Sequence, residues 1–281
     1  MIKYLFFILM FGYILSSCHG DDIISEPSQL VIEGWIDAGG FPVVIVTKTV
    51  PIDKNKQQLS SLEEYLVKWA KVTVSDGEQE FVLTGKMNEH YFPPYVYTTT
   101  ALRGVEGKTY KLTVTFDDYF AEAWTTIPPK VELDSFYVEK NEGMDNSYNI
   151  IAHINNNTSE NKYYKFFTYT SDNKYQFYSS SYRGLVNGSI MKNNVSIPIY
   201  RSKTIENWEY FNQYFSFGEI VNVKLVRLDL QGYNFWNSYE VVSSLSRNPL
   251  FPVSESLESN IQGALGYWLG YGASEYRIDI K

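Results

Sequence analysis

The chain has 281 residues, 44% of them hydrophobic and 17% aromatic, with 24 Tyr, 17 Phe and 6 Trp. Acidic residues outnumber basic ones 32 to 24, for a formal net charge of −8, and no basic cluster offsets this, which argues against nucleic acid as a partner and against charge-driven binding to anionic lipid. A single cysteine excludes a disulfide framework, so stability has to come from a packed core.

Lys3 is the one Lys, Arg, Asp or Glu before position 19, and the apolar run Tyr4 to Ile14 follows it. That run is too short to cross a bilayer, which takes about 20 residues. A basic start with a run of this length reads as a secretory leader. Leu15-Ser16-Ser17-Cys18 resembles a bacterial lipobox, in which the Cys18 sulfur takes a diacylglyceryl group and the leader is cut just before it; the alternative is an ordinary leader with an incidental cysteine. Residues 1–17 are thus expected to be the leader and 18–28 a lipidated tether. Each buried methylene contributes about 0.8 kcal/mol, so one acyl chain holds marginally and two hold stably. Asp21 and Asp22, just behind Cys18, resemble the surface-export signal of Bacteroidetes lipoproteins; a solvated linker is the alternative. About 260 residues remain after the leader, which favours two domains.

From 29 to 126 the pattern is that of a β-sandwich. Leu30 to Ile36 and Val43 to Val50 read as strands around Gly39-Gly40. Leu59 to Trp69 departs from this and predicts a short helix capped by Ser60 or Ser61, with Leu62, Leu66 and Trp69 on it. Lys71 to Ser75 and Glu80 to Thr84 flank Asp76-Gly77, a strong hairpin signal. Tyr95 to Thr100 is a further strand. Lys108 to Phe116 alternates with Tyr110, Leu112, Val114 and Phe116 on one face, and Asp117-Asp118 turns the chain into Tyr119 to Thr125. Regular short strands of this kind point to an immunoglobulin-like or transthyretin-like sandwich.

Pro128-Pro129 breaks the strand pattern, so 127–131 reads as a linker and 132–281 as a second antiparallel β domain. Its strands are Glu132 to Lys140, Ser147 to Asn155, Tyr163 to Thr170, Lys174 to Tyr182, and Glu219 to Leu230. Asn155 to Ser159 is a polar turn. Tyr233 to Leu245 places Trp236, Tyr239 or Glu240, Val242 or Ser243, and Leu245 near one face, predicting a helix packed on the sheet. Asn260 to Gly272 reads as a glycine- and aromatic-rich strand, its glycines allowing close packing beneath bulky neighbours, and Tyr276 to Ile280 closes the chain.

Five segments in order carry a family resemblance: Val31 to Ile36; Val72 to Gly77; Gly107 to Tyr110; Ile127-Pro128-Pro129 with Leu133-Asp134-Ser135; and Ser259 to Tyr267. The chain resembles the Bacteroidetes lipoprotein family known as domain-of-unknown-function family 4249. The match is weakest over Asn141 to Ser216 and in Leu59 to Trp69. The resemblance implies outer-membrane association, often beside a TonB-dependent transporter of the starch-utilisation type, and it carries over no catalytic residue.

The residues themselves offer little chemistry. His19, His90 and His153 lack a second histidine at metal spacing, and Cys18 is committed to lipid, so no metal site is expected. Asp117-Asp118 reads as a solvated turn, with a calcium site as the alternative. No nucleophile elbow or phosphate loop is present, so neither catalytic residues nor a cofactor are assigned. The aromatic middle is the one candidate surface: Tyr163, Tyr164, Tyr169, Tyr175, Tyr178 and Tyr182 could contact a glycan or peptide ligand, or simply divide between core and strand surface. The expectation is therefore a non-catalytic, lipid-anchored outer-membrane protein facing the cell exterior, which accompanies a transporter or captures its substrate. A structural or adhesive surface role is the alternative.

Overall fold

The computed structural model of the chain describes residues 28–49, 64–154, 162–171, 178–190, 195–204, 210–245 and 257–281. The leader, Cys18, the Asp21-Asp22 pair and Tyr175 lie outside the described residues. The protein is mainly β. Its strands are β1 (Leu30–Asp37), β2 (Val43–Lys48), β3 (Lys71–Ser75), β4 (Glu80–Met87), β5 (Tyr95–Thr98), β6 (Thr109–Phe116), β7 (Tyr119–Thr126), β8 (Ser135–Lys140), β9 (Tyr148–Ile154), β10 (Tyr163–Thr170), β11 (Ser179–Asn187), β12 (Val195–Ile199), β13 (Ile220–Leu228) and β14 (Leu265–Asp279), with the helix α1 (Leu230–Leu245) between the last two. No helix among the described residues is long and apolar enough to cross a membrane.

One sheet runs β11-β10-β13-β14-β1-β2-β5-β4-β3-β6-β7, and a second, three-stranded sheet runs β12-β9-β8. The hairpins follow their turn residues. Asp76 Oδ1 accepts the backbone N–H groups of Glu78 and Gln79 at 3.1 and 2.9 Å, and Gly77 takes φ of 91°. Asp117, at φ 48°, starts the two-residue loop between Phe116 and Tyr119, and both its aspartates are exposed, as a solvated turn requires.

Alternation sorts the side chains into layers. Even-numbered residues of β1 (Leu30, Ile32, Ile36) meet Val72 and Val74 of β3 and Tyr110, Leu112 and Val114 of β6 in a first core. Val221, Val223 and Leu225 of β13 join Tyr164 and Phe166 of β10 and the second sheet's Ile150, Ala152 and Ile199 in a second core. The opposite face of β10, β13 and β14 is covered in part by α1, through Phe235 and Trp236. Strand β2 is buried on both faces from Val43 to Val46, which is why its sequence reads as an apolar run, and β13 alternates from Val221 to Leu225 before burial on both faces breaks the phase at Val226.

β14 ties the layers together. It pairs in parallel with β1 over Leu265 to Tyr271 and antiparallel with β13 over Gly272 to Asp279. Trp268 is fully buried in the first core, where its Nε1 donates to the Tyr110 carbonyl at 3.1 Å, and Ile278 lies in the second. Between the two cores the segment holding Ile127, Pro128 and Pro129 crosses directly over β14. A methyl at Gly270 would sit 2.9 Å from Ile127 Cα, and one at Gly272 would sit 2.5 and 2.6 Å from the Pro128 and Pro129 carbonyl oxygens. The crossing is stitched by side chains: Thr125 Oγ1 accepts the Gly270 N–H at 2.7 Å, and Ser274 Oγ donates to the Val131 carbonyl at 2.6 Å.

Four expectations change. The helix predicted over 59–69 does not extend through its described end. Leu66 instead bridges to Thr47, the Val67 N–H donates to the Val46 carbonyl at 3.0 Å, and Trp69 is 88% exposed. The reason is an unfilled edge: β5 pairs with β2 at Val43 and Val44, leaving backbone groups further along β2 to be bonded. The two terminal strands are one 15-residue strand. β12 contains Pro198 and escaped prediction, and it lies at the edge of its sheet, where a residue without N–H is tolerated. α1 starts at Leu230, because Asp229 Oδ1 accepts the Gly232 N–H at 2.7 Å and caps it.

Candidate functional site

The sheet face opposite the two cores is only partly covered by α1, and the uncovered part holds the site. On this face β1 presents Trp35 and Asp37, β14 presents Tyr267, Tyr271 and Glu275, β13 presents Lys224, and β10 presents Phe167 and Tyr169; the register pairs Asp37 with Tyr271, Lys224 with Glu275, and Phe167 with Lys224. β1 and β13 flank β14, so their backbones lie two strand spacings apart, about 9–10 Å. The long stem of Lys224 closes that gap, and its Nζ meets Asp37 Oδ2 at 2.5 Å. The lysine side chain is 6% exposed and the aspartate 20%. The ammonium also lies 5.4 Å from the Tyr271 ring centre and 5.7 Å from that of Tyr178, within cation–π range. The other carboxylate oxygen of the pair, Asp37 Oδ1, is buried and has no hydrogen-bond partner among the described residues.

Around the pair is a cavity of about 510 Å³. Trp35 and Tyr91 line it from the β1 side, with ring centres 6.2 Å apart, and Tyr169 and Tyr178 line it from the β10–β11 side as an edge-to-face pair at 4.9 Å. Tyr91 and His90 come from the loop between β4 and β5, and Lys86 and Thr98 from those strands themselves. Several of the lining phenols hold their protons more tightly than a free tyrosine. Burial, the nearby Glu275 carboxylate to which Tyr178 is hydrogen-bonded, and Tyr169 push the Tyr178 hydroxyl far above its usual range. Burial and the Asp37 charge raise Tyr91. Burial carries Tyr271 well up, although its oxygen accepts the Trp236 Nε1–H at 3.2 Å, which works in the opposite direction. The site therefore offers fixed donors, two carboxylates and aromatic faces.

A second polar pair stands beside it. Lys165, wholly buried on β10, bonds Glu240 of α1 at 2.6 Å and lies 5.2 Å from the Trp236 ring centre. Desolvation lowers the Lys165 pKa, with Glu240 opposing. This pair seats the helix on the sheet.

Of the six tyrosines singled out from the sequence, Tyr169 and Tyr178 line the cavity. Tyr164 is 1% exposed in the second core, since even positions of β10 face that way. Tyr163 stacks on Tyr233 of α1 at 4.3 Å, and Tyr182 packs with Phe211 and Tyr200 at 5.5 and 6.1 Å. Sequence reasoning missed Trp35, Asp37, Tyr91, Lys224, Tyr271 and Glu275. One signal was present: Lys224 stands between Val223 and Leu225-Val226 in a predicted central strand, and a charge that such a strand buries needs a partner. His153 lies opposite Ser196 in the second sheet, 3.5 Å from Nδ1 to Oγ, with Tyr137 stacked on it at 5.6 Å. It is a cross-strand contact at an exposed position, away from the cavity. Among the described residues no group of three or more His, Cys, Asp or Glu could hold a metal ion.

No curated protein matches the chain. Residues 20–277, nearly the whole sequence and everything that builds the cavity, match the family described as a domain of unknown function, DUF4249. The five ordered segments noted in the sequence, the shared β14 and the cavity on its outer face are thus features of a chain that belongs to the DUF4249 family.

Proposed function

We propose that the protein is a non-catalytic capture protein, anchored by lipid at Cys18 in the outer membrane, facing the cell exterior and delivering a small ligand to a TonB-dependent transporter. The observation that carries the capture step is the cavity, whose volume of about 510 Å³ falls in the range of small-molecule sites and whose charged pair is fixed before any ligand arrives. Aromatic walls supply contact area at little cost in conformational freedom, and the rigid strands beneath them hold the polar groups in place. The apolar leader ending at Leu15-Ser16-Ser17-Cys18 supports the anchor, and Asp21-Asp22 supports outward export.

Two experiments test the reading. A tagged protein with Cys18 intact, pulled down from outer membranes, should bring a β-barrel transporter with it; recovery without any barrel refutes the transporter association. Cys18→Ala should move the protein out of the membrane fraction, and continued sedimentation with membranes refutes the anchor. A structural or adhesive role is the second reading, favoured by the rings of Trp69 and Tyr210, which are 88% and 87% exposed.

A further inference from the structure

We propose that the cavity takes a neutral polyhydroxylated ring, a sugar unit either free or within a chain, and that Asp37 Oδ1 accepts a hydroxyl of that ring. The inference rests on the capture reading and specifies its ligand.

Charge comes first. Among the described residues the charged groups lining the cavity are Asp37, Glu275, Lys86 and Lys224, two of each sign, which together offer no net attraction to an anion or a cation. A ligand ammonium seeking Asp37 would meet Lys224 Nζ already 2.5 Å from the carboxylate, and like charges that close repel. A ligand carboxylate or phosphate would face Asp37 and Glu275, with Lys224 already engaged. A purely apolar ligand would leave Asp37 Oδ1, already buried, without a donor.

The remaining class carries hydroxyl donors without charge. A buried carboxylate oxygen that lacks a donor is matched by a ligand O–H. The Tyr178 and Tyr91 rings line the cavity, and their apolar faces suit the C–H face of a sugar. Lys224 fixes the orientation of Asp37 by holding Oδ2, so the acceptor is fixed in place before binding.

The test uses the full chain in detergent, titrated by calorimetry and intrinsic fluorescence. The probes are neutral hexose, pentose and N-acetylhexosamine oligomers, as free oligosaccharides and as polysaccharides, with hexuronate oligomers and mixed short peptides as the charged arms. Saturable binding of a neutral probe is expected. Free oligomers binding as well as polysaccharide identifies a free sugar as the ligand, and the reverse order a chain unit. In Asp37→Asn the side-chain carbonyl stays with Lys224 and the NH2 replaces the acceptor, so affinity should fall about 10- to 100-fold. Tyr91→Ala, on a loop, should weaken the same probe and keeps the test open if the first variant fails to fold. Tyr182→Ala, away from the cavity, should bind as the unmodified chain does. Binding of a charged probe alone, lost in Asp37→Asn, overturns the sugar assignment and leaves small-ligand capture standing. Neutral binding indifferent to both cavity variants overturns the site. Silence across all probes overturns the sugar proposal together with the capture reading.

Discussion

Breaking the Lys224–Asp37 pair is the most direct physical test of the site. Removing one member of a buried ion pair leaves the other charge desolvated without compensation, at a cost of about 3–5 kcal/mol. Here the survivor differs between the two variants. Asp37→Ala strands an ammonium whose side chain is 6% exposed, with the Tyr178 and Tyr271 rings near it and Glu275, already bonded to Tyr178, opposite it on β14. Lys224→Met strands a carboxylate that is 20% exposed and borders the cavity, where water reaches it. The first should therefore cost about 2–4 kcal/mol and the second less, roughly 1–2, both discounted for that access to solvent. At about 2–4 °C per kcal/mol for a chain approaching this size, Asp37→Ala should lower Tm by roughly 5–15 °C.

The double variant Asp37→Ala/Lys224→Met removes both charges and keeps most of the lysine's apolar stem. It should be more stable than the sum of the single losses by about 1–3 kcal/mol. Urea unfolding followed by tryptophan fluorescence measures all four corners of the cycle, with Trp268 in the first core and Trp236 on α1 reporting separately placed regions. Single losses below about 1 kcal/mol that simply add would refute the reasoning, because they would describe a screened surface pair and not a fixed element of the cavity.

Three further outcomes are expected. Gly272→Ala should destabilise by about 2 kcal/mol or more in urea unfolding, since its methyl would press on the Pro128 and Pro129 carbonyls, which are backbone and cannot rotate away; unchanged stability would show that the crossing can move apart. Glu240→Ala should strand Lys165 in the sheet, and the variant's stability should climb as pH rises toward 10.5, because the unfolded chain then holds a proton that the folded chain has released; a flat profile would contradict this. Asp76, bonded by Lys108 and by the amides of Gln79 and Glu78, is held down to about 2, so its stabilisation of the β3–β4 turn is complete above its usual 3.8 and lost as pH falls through about 2; a carboxyl NMR titration with a midpoint near 4 would be the contrary result.

The sequence revealed local pairing better than distant pairing. Asp76-Gly77 and Asp117-Asp118 fix their hairpins within a few residues, so β3, β4, β6 and β7 were readable, as were α1 and the alternation of Tyr110, Leu112 and Val114. The parallel pairing of Leu265–Tyr271 with Val31–Asp37 has no local signature, since more than 200 residues separate the partners. That pairing is what brings Asp37 within reach of Lys224, so the cavity was invisible for the same reason. Tyrosine density drew attention to the middle of the chain, and two of its tyrosines do line the site. Density alone could not separate Tyr164 from Tyr169, because the face each occupies depends on what packs against β10.

The position of β14 explains why a cavity lies here at all. Its even-numbered residues are committed to packing: Trp268 fills one core, Gly270 and Gly272 admit the crossing segment, and Ile278 fills the other core. With one face immobilised along 15 residues, the other face can present Tyr271 and Glu275 at a fixed spacing. A central strand whose opposite face carries a fully buried ring is a stiffer support than a loop, and preorganisation of this kind limits what a ligand must spend on ordering its site. The polar groups on the exposed face are then the least expendable ones. Asp37 and Lys224 destabilise the sheet when separated and contribute little as a pair that hydrophobic residues could not match, so packing alone does not call for them, and with one carboxylate oxygen lacking a partner among the described residues they are the groups on which the capture proposal rests.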